Sequence, residues 1–187
     1  MSGGSGERRI DGRSVFRGRL LRVDVDRVRL PGGGEVEREL VRHPGAAGVL
    51  PWFPDGRDGS GEAEVVLLRQ YRYAAGTELW EIPAGTLEPE ESPEACAARE
   101  LEEEAGLVAR DLQLLGSVLT SPGFTDERIH LYLAPEPDPG EASPEAGERL
   151  APRTVPVARA LEMVEAGEVE DAKTVTALLL AARATLG

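Results

Sequence analysis

Glu100, Glu103 and Glu104 are spaced i, i+3, i+4, so a helix carrying them gathers three carboxylates on one face. The helix itself is signalled locally. Ser92 is a good N-cap, Pro93 suits a first turn that has no use for its N–H, and Gly106 suits the left-handed position past the end, which predicts a helix from about Pro93 to Ala105. Ala98, Leu101 and Ala105 form an apolar stripe beside the acids. Like charges at i, i+4 cost roughly 0.2–0.5 kcal/mol per pair, and acids in a last turn oppose the helix dipole by about 0.3–1 kcal/mol each. Arg99 is the local compensation. A hard divalent cation reverses the sign of these terms, and clustered carboxylate oxygens suit Mg²⁺ or Mn²⁺ rather than zinc. The competing reading is a solvated acidic face in an acidic protein.

The wider spacing is more specific. Gly85, five residues, Glu91, seven residues, Arg99-Glu100-Leu101, any residue, Glu103-Glu104, any residue, and Gly106-Leu107 together resemble the Nudix box with every fixed position filled. The resemblance implies an α/β Nudix fold, a mixed β-sheet sandwiched between helices, and hydrolysis of a nucleoside diphosphate linked to another group. It also implies that Glu100 and Glu104 are metal ligands together with the Ala84 carbonyl, and that Glu103 is a further ligand or base. Mg²⁺ is the implied cofactor, with Mn²⁺ as an alternate. Gly85, Glu91, Arg99 and Gly106 then support the box, Glu91 and Arg99 as an ion pair holding the loop on the helix.

Composition narrows the partners. The chain has 187 residues, 41% of them hydrophobic, and reads as one enzyme-sized domain behind a disordered start at residues 1–8. A net charge of −13 argues against nucleic-acid backbones and anionic lipid as partners. Cys96 is the single cysteine, so no intrachain disulfide forms, and a small buried thiol is its expected role. The Gly/Ser-rich N-terminus lacks the apolar core of a signal peptide, and the longest apolar run, residues 177–182, cannot span a membrane. A cytoplasmic enzyme is expected. His43 and His130 are too few to build a zinc or triad site.

The elements that must position the box follow from periodicity. Apolar residues alternate from Arg19 to Leu30 but change phase after Val25, which predicts a bulge or bend near Asp26. Pro31-Gly32-Gly33-Gly34 turns the chain back into a strand from Glu35 to Arg42, giving an N-terminal antiparallel hairpin within residues 9–42, ahead of a catalytic core at about 43–187. Ala46 to Phe53 and Glu64 to Tyr71 are expected strands, the second buried on both faces. Leu79 to Gly85 leads into the box, and strands at Leu112–Thr120 and Arg128–Leu133 flank a loop containing Glu127. Pro135 to Gly147 reads as a mobile surface loop. Two helices follow, one with Val157, Ala160, Leu161 and Val164 facing inward, and one capped by Asp171 that buries Val175, Leu178, Leu179 and Ala182.

Within the Nudix family the chain is most similar to ADP-ribose pyrophosphatases, through Arg42-His43-Pro44-Gly45, Arg69-Gln70-Tyr71-Arg72, Trp80-Glu81-Ile82-Pro83-Ala84-Gly85, Ser121-Pro122-Gly123-Phe124-Thr125-Asp126-Glu127 and Asp171-Ala172-Lys173-Thr174. That resemblance implies cleavage of ADP-ribose to AMP and ribose 5-phosphate. It implies substrate contacts from Arg42, Arg72, Glu81, Pro122 and Gly123, a homodimer built partly by the hairpin, and a catalytic carboxylate, Glu103 or Glu127 with Glu127 favoured, beside Glu104. Tyr71 and Tyr73, on either side of Arg72, are candidates to cover an adenine or ribose. Another nucleoside diphosphate sugar, a dinucleotide or FAD stays open as substrate, as does a module that senses ADP-ribose without cleaving it.

Overall fold

The computed structural model describes residues 6–143 and 150–186, and divides them into two compact units. The N-terminal unit holds residues up to Gly45 together with Leu119–Arg128. Its sheet has three antiparallel strands, β1 (Arg8–Arg17), β2 (Arg22–Arg29) and β3 (Glu35–Arg42), in the order β1-β2-β3. The expected hairpin is β2–β3. The strand β1, which pairs with it, carries no sequence signal, because nine of its ten residues are solvent-exposed and no buried face gives it a period.

The predicted bend near Asp26 is absent. Strand β2 stays in continuous register with β3 from Arg22 opposite Arg42 to Arg29 opposite Glu35, and the irregularities lie in β1, between Arg9 and Asp11 and between Ser14 and Phe16. The apparent change of phase has another cause. Asp24, Asp26 and Val28 share the buried face of β2, so two carboxylates occupy positions where alternation expects apolar side chains. Residues 119–128 join the same unit through Val41, whose N–H donates to the Phe124 carbonyl at 2.7 Å while its own carbonyl accepts from the Asp126 N–H at 3.3 Å.

The second unit is built on a mixed sheet with the path β12-β5-β4-β10-β9, where β4 is Ala46–Phe53, β5 Glu64–Arg72, β9 Gln113–Leu119, β10 Arg128–Pro135 and β12 Ala151–Pro156. Strands β4 and β10 run parallel, and β5 is antiparallel to both β4 and β12. The expected strand at Leu79–Gly85 is divided: β6 (Thr77–Glu81) pairs with β5, whereas β7 (Ala84–Thr86) pairs with β4, the chain crossing over at Ile82-Pro83. Proline without an N–H suits that transfer point.

Alternating side chains of the central strands feed two apolar layers. Leu50, Leu67 and Leu131 pack on one face with α2 (Val157–Glu165) and α3 (Ala172–Leu186), while Val49, Val66 and Tyr132 pack on the other with α1 (Pro93–Ala105). The sheet is thus held between helices. The buried positions of α3 are Thr174, Ala177, Leu178 and Ala181, and Leu179 stands in solvent, so the predicted stripe is rotated by about one residue. On α2, Val157, Ala160 and Met163 are buried, with Leu161 and Val164 packed at their edge.

The Pro135–Gly147 segment also departs from expectation. Asp138–Pro139 forms a short strand, β11, antiparallel to β8 (Leu107–Val108), and Arg110 is paired with Asp138. Gly140 and Ser143 donate to the carbonyls of Gly106 and Glu103, so the segment stitches onto the C-terminal end of α1. The part from residue 144 onward, like the first five residues of the expected disordered start, lies outside the described residues. Among the described residues no helix is long and apolar enough to cross a membrane.

Candidate active site

Helix α1 begins and ends as its caps require. Ser92 Oγ accepts from the Ala95 N–H at 3.1 Å, Pro93 occupies the first turn, and Gly106 takes φ 62° beyond Ala105 and donates its N–H to the Glu102 carbonyl at 2.9 Å. The face turned to the sheet differs from the expected stripe. It carries Cys96, Ala97 and Leu101, while Ala98 and Ala105 are half-buried. Glu100 and Glu104 lie on this inner face, 8% and 5% exposed, and Glu103 is half-buried beside them. Glutamates are seldom buried unless a partner compensates the lost hydration.

The partners are backbone and arginine. Glu104 Oε2 accepts from the Ala84 N–H at 2.8 Å, which ties the last turn of α1 to β7. Arg99 donates to Glu100 at 2.6 Å, to Glu103 at 3.0 Å, to Glu91 at 2.9 and 3.1 Å, and to the Thr86 carbonyl at 3.4 Å. Glu91 foremost among these acids, ahead of Glu100 and Glu103, drives the guanidinium pKa further up against the effect of burial. The same Arg99 hydrogen bond holds the Glu91 carboxyl below the usual range.

Gly85 makes the approach possible. A Cβ placed there would lie 1.7 Å from Glu100 Oε1 and 2.2 Å from its carboxyl carbon, so the carboxylate occupies the space a side chain would take. Cys96 completes the contact, its thiol donating to the Gly85 carbonyl at 3.5 Å. Burial, then the charge of Glu91, pushes that thiol up to about 12, so it stays protonated at neutral pH and is no thiolate ligand.

The donor set fits a divalent cation by its chemistry: hard carboxylate oxygens on Glu100, Glu103 and Glu104, beside the Ala84–Gly85 backbone. With Arg99 drawing two of these acids to itself, no three His, Cys, Asp or Glu side chains among the described residues converge as a metal cluster.

A second array lies in the same unit, at the ends of β5 and β6. Glu81, only 2% exposed, receives two hydrogen bonds from Arg72, both 2.7 Å, and a third from Lys173. Burial alone would raise the Glu81 carboxyl, but hydrogen bonds and charge from Arg72 and Lys173 outweigh it and hold the group below its usual range. Glu81 therefore faces cations. Arg72 in turn feels the charge of Glu104. Tyr71 and Tyr73 are 57% and 91% exposed, so they build no closed aromatic wall about Arg72; both lie at the β5–β6 hairpin end, where neighbouring strands cease.

Arg42, Pro122, Gly123 and Glu127 belong to the N-terminal unit. Arg42 reaches Asp126 at 3.0 Å and the buried Asp24 and Asp26 at 3.3 Å each. Glu127 Oε2 accepts from Thr120 Oγ1 at 2.7 Å, across the base of the loop that carries Pro122 and Gly123, both of them outside its hydrogen bonds of 3.1 Å from Phe124 and Thr125 to the Ser121 carbonyl. Sequence reasoning gave no role to Asp24, Asp26, Thr120 or Lys173. The signals available were two acids at strand-face spacing in β2 and a single lysine in the whole chain.

Comparison with known proteins agrees with this geometry. Residues 42–179 match the NUDIX domain. The chain is 38% identical to the ADP-ribose pyrophosphatase of Bacillus subtilis over 174 residues, covering 92% of this chain and 90% of that one. It is 36% identical to the ADP-ribose pyrophosphatase of Mycobacterium tuberculosis, covering 95% and 84%. The solved structure of an ADP compounds hydrolase superposes with a TM-score of 0.81 over 97% of this chain and 95% of that one, at 23% identity, and so shares the fold. A helix that buries glutamates against a glycine-opened loop, on a mixed sheet between helices, is here the box of a Nudix hydrolase, and the chain belongs to that family.

Proposed function

We propose that the protein hydrolyses ADP-ribose to AMP and ribose 5-phosphate, with Mg²⁺, or Mn²⁺ in its place, held by Glu100, Glu104 and the Ala84 carbonyl and with Glu103 as a further ligand. The observation that carries the proposal is the pair of buried carboxylates on α1, Glu100 seated where Gly85 lacks a side chain and Glu104 on the Ala84 N–H. Similarity to ADP-ribose pyrophosphatases along most of the chain supports the substrate. When bound, the cation supplies neutralisation of the diphosphate and a lowered pKa for the attacking water.

The chain's own residues supply the rest. Glu127 is the favoured proton acceptor: Thr120 Oγ1 holds one carboxylate oxygen at 2.7 Å, and the other lies 3.6 Å from His43 Nδ1. Glu103 is the alternate. Arg72, with its side chain 41% exposed, meets the anionic substrate, and Arg42, Glu81, Pro122 and Gly123 complete the binding residues. Arg99 and Glu91 keep the loop on α1. The protein works as a homodimer in the cytoplasm, its exposed Val15, Phe16, Leu20 and Leu21 being suited to a subunit contact. Light scattering over a dilution series tests the dimer, and monomer alone at working concentration overturns it.

Product analysis on a panel of nucleoside diphosphate derivatives, with Mg²⁺ or with excess chelator, tests the activity. AMP from ADP-ribose in Mg²⁺, and none in chelator, is expected. Full turnover in chelator removes the metal reading, and a clear preference for another derivative removes the substrate reading.

A further inference from the structure

Lys173 is the single lysine of the chain and stands where a lysine is disfavoured twice. It lies in the first turn of α3, whose dipole opposes a cation, and its side chain is only 10% exposed, so it loses most of its hydration. Its ammonium contacts Glu81 and, at 3.0 Å, Asp171. Asp171 is itself held by the Thr174 N–H at 3.0 Å, and Thr174 Oγ1 accepts from the Ile82 N–H at 2.8 Å, which ties the start of α3 to the chain just past β6. A buried network of this kind has every group partnered and leaves its members little freedom.

The outer end of this network is Arg72. Both Glu81 oxygens point at its guanidinium, yet the Arg72 side chain is 41% exposed, the one cation of the cluster that reaches solvent. If Arg72 were the sole partner of Glu81, the carboxylate could turn with it. With Lys173 on the same carboxylate and also on Asp171, two cations meet two carboxylates, and Glu81 is held from two sides, so that the direction in which it presents Arg72 is fixed.

We propose that Lys173 is a positioning residue for substrate binding: through Glu81 it fixes the orientation in which Arg72 meets an anionic phosphate or ribose-phosphate group. The inference rests on the reading above in which Arg72 contacts substrate. It assigns Lys173 no contact with substrate.

A double-mutant cycle tests it, run on whichever derivative in the panel is turned over best. Lys173→Met should raise KM about three- to tenfold, with the change falling mainly on KM, and should add less than twofold when Arg72 is already Ala. Lys173→Arg, which keeps the charge, should recover part of the loss. Equal fold-changes in the two backgrounds, or an unchanged KM in folded Lys173→Met, overturn the proposal. Should Lys173→Met fail to fold, Lys173→Gln, which keeps an N–H donor for Glu81 but no charge, carries the same expectation, and equal fold-changes in the two backgrounds overturn the proposal there too. A wild type that prefers a substrate other than ADP-ribose overturns the substrate reading while leaving the cycle readable.

Discussion

Asp24, Asp26 and Asp126 in the N-terminal unit meet three arginines, Arg9, Arg22 and Arg42, whereas Glu91, Glu100 and Glu103 in the sheet-and-helix unit share Arg99. Both groups hide carboxylates from water, and burial of either costs free energy unless charge is returned. In the first group three acids meet three arginines, so the charges balance and the buried Asp24 and Asp26 are each paired twice. In the second, acids crowd the last turn of α1, where there is no basic residue and the helix dipole is unfavourable. An arrangement that spends stability on surplus negative charge is the one to expect where a cation must bind, and the contrast separates a site from a brace better than burial does.

The sharpest way to break the comparison is to remove one acid from each group. Glu104→Gln keeps a carbonyl oxygen for the Ala84 N–H but removes charge, so kcat should fall about a hundredfold or more, a cation being worth several kcal/mol in the transition state. Its melting temperature should hold or rise, since one unfavourable charge leaves the helix end. Steady-state kinetics and a thermal melt read both. A destabilised Glu104→Gln with normal kcat would make α1 a brace as well.

Gly85→Ala sharpens the same side. The three atoms nearest its Cβ all belong to the Glu100 carboxyl, the far end of a side chain rather than backbone, so a loss of about 1–2 kcal/mol is expected. The displaced carboxylate should cost about tenfold in kcat, following the sensitivity of reacting geometry to small misplacements. Retention of full activity would show that Glu100 works from another position.

Asp26→Asn probes the other group and should act in the opposite sense. Asp26 is 3% exposed and bound by Arg9 at 2.9 Å and Arg42 at 3.3 Å. Charge-assisted hydrogen bonds are worth about 1.5–3 kcal/mol, discounted here because Arg9 is largely solvated, so a loss of about 1–2 kcal/mol is expected, or roughly 3–6 °C in Tm. An unchanged Tm would mean that the N-terminal cluster is as uncompensated as the α1 cluster.

The two groups also differ in how plainly the sequence announces them. Helix α1 is legible because independent signals coincide on it: a cap at Ser92, a stop at Gly106 and three acids at helical spacing. The β2 acids are hidden, because alternation ranks Val23 and Val25 as the buried set when Asp24 and Asp26, paid for by arginines distant in sequence, are more buried. The strand β1 buries too little to show a period. On α3 small Thr174, Ala177 and Ala181 lie against the sheet and bulky Leu179 faces outward, so ranking by size rotates the helix. The clamp of Lys173 on Glu81 spans 92 residues and depends on pairing that no local pattern contains.

The smallest effect expected comes from acid. Glu91 is held below its ordinary value of 4.5 chiefly by Arg99, against burial, so the unfolded chain binds a proton there more readily than the folded one. The sign follows: the pair contributes stability above about pH 4.5, and that contribution is lost as pH falls through the lower, folded value. Glu91→Gln removes it, at a cost of about 1 kcal/mol at neutral pH for a part-exposed pair. Denaturant melts from pH 7 to pH 3 should therefore show mutant and wild type separated by a constant gap above about pH 4.5 and converging below it. Because Arg99 is shared, its release from Glu91 also leaves it freer to hold Glu100 and Glu103, so the mutant should need more divalent cation for half-maximal activity. A gap that stays constant into the acid range would mean that Arg99 does not depress Glu91, and that α1 carries its acids without the one cation on which the comparison of the two clusters depends.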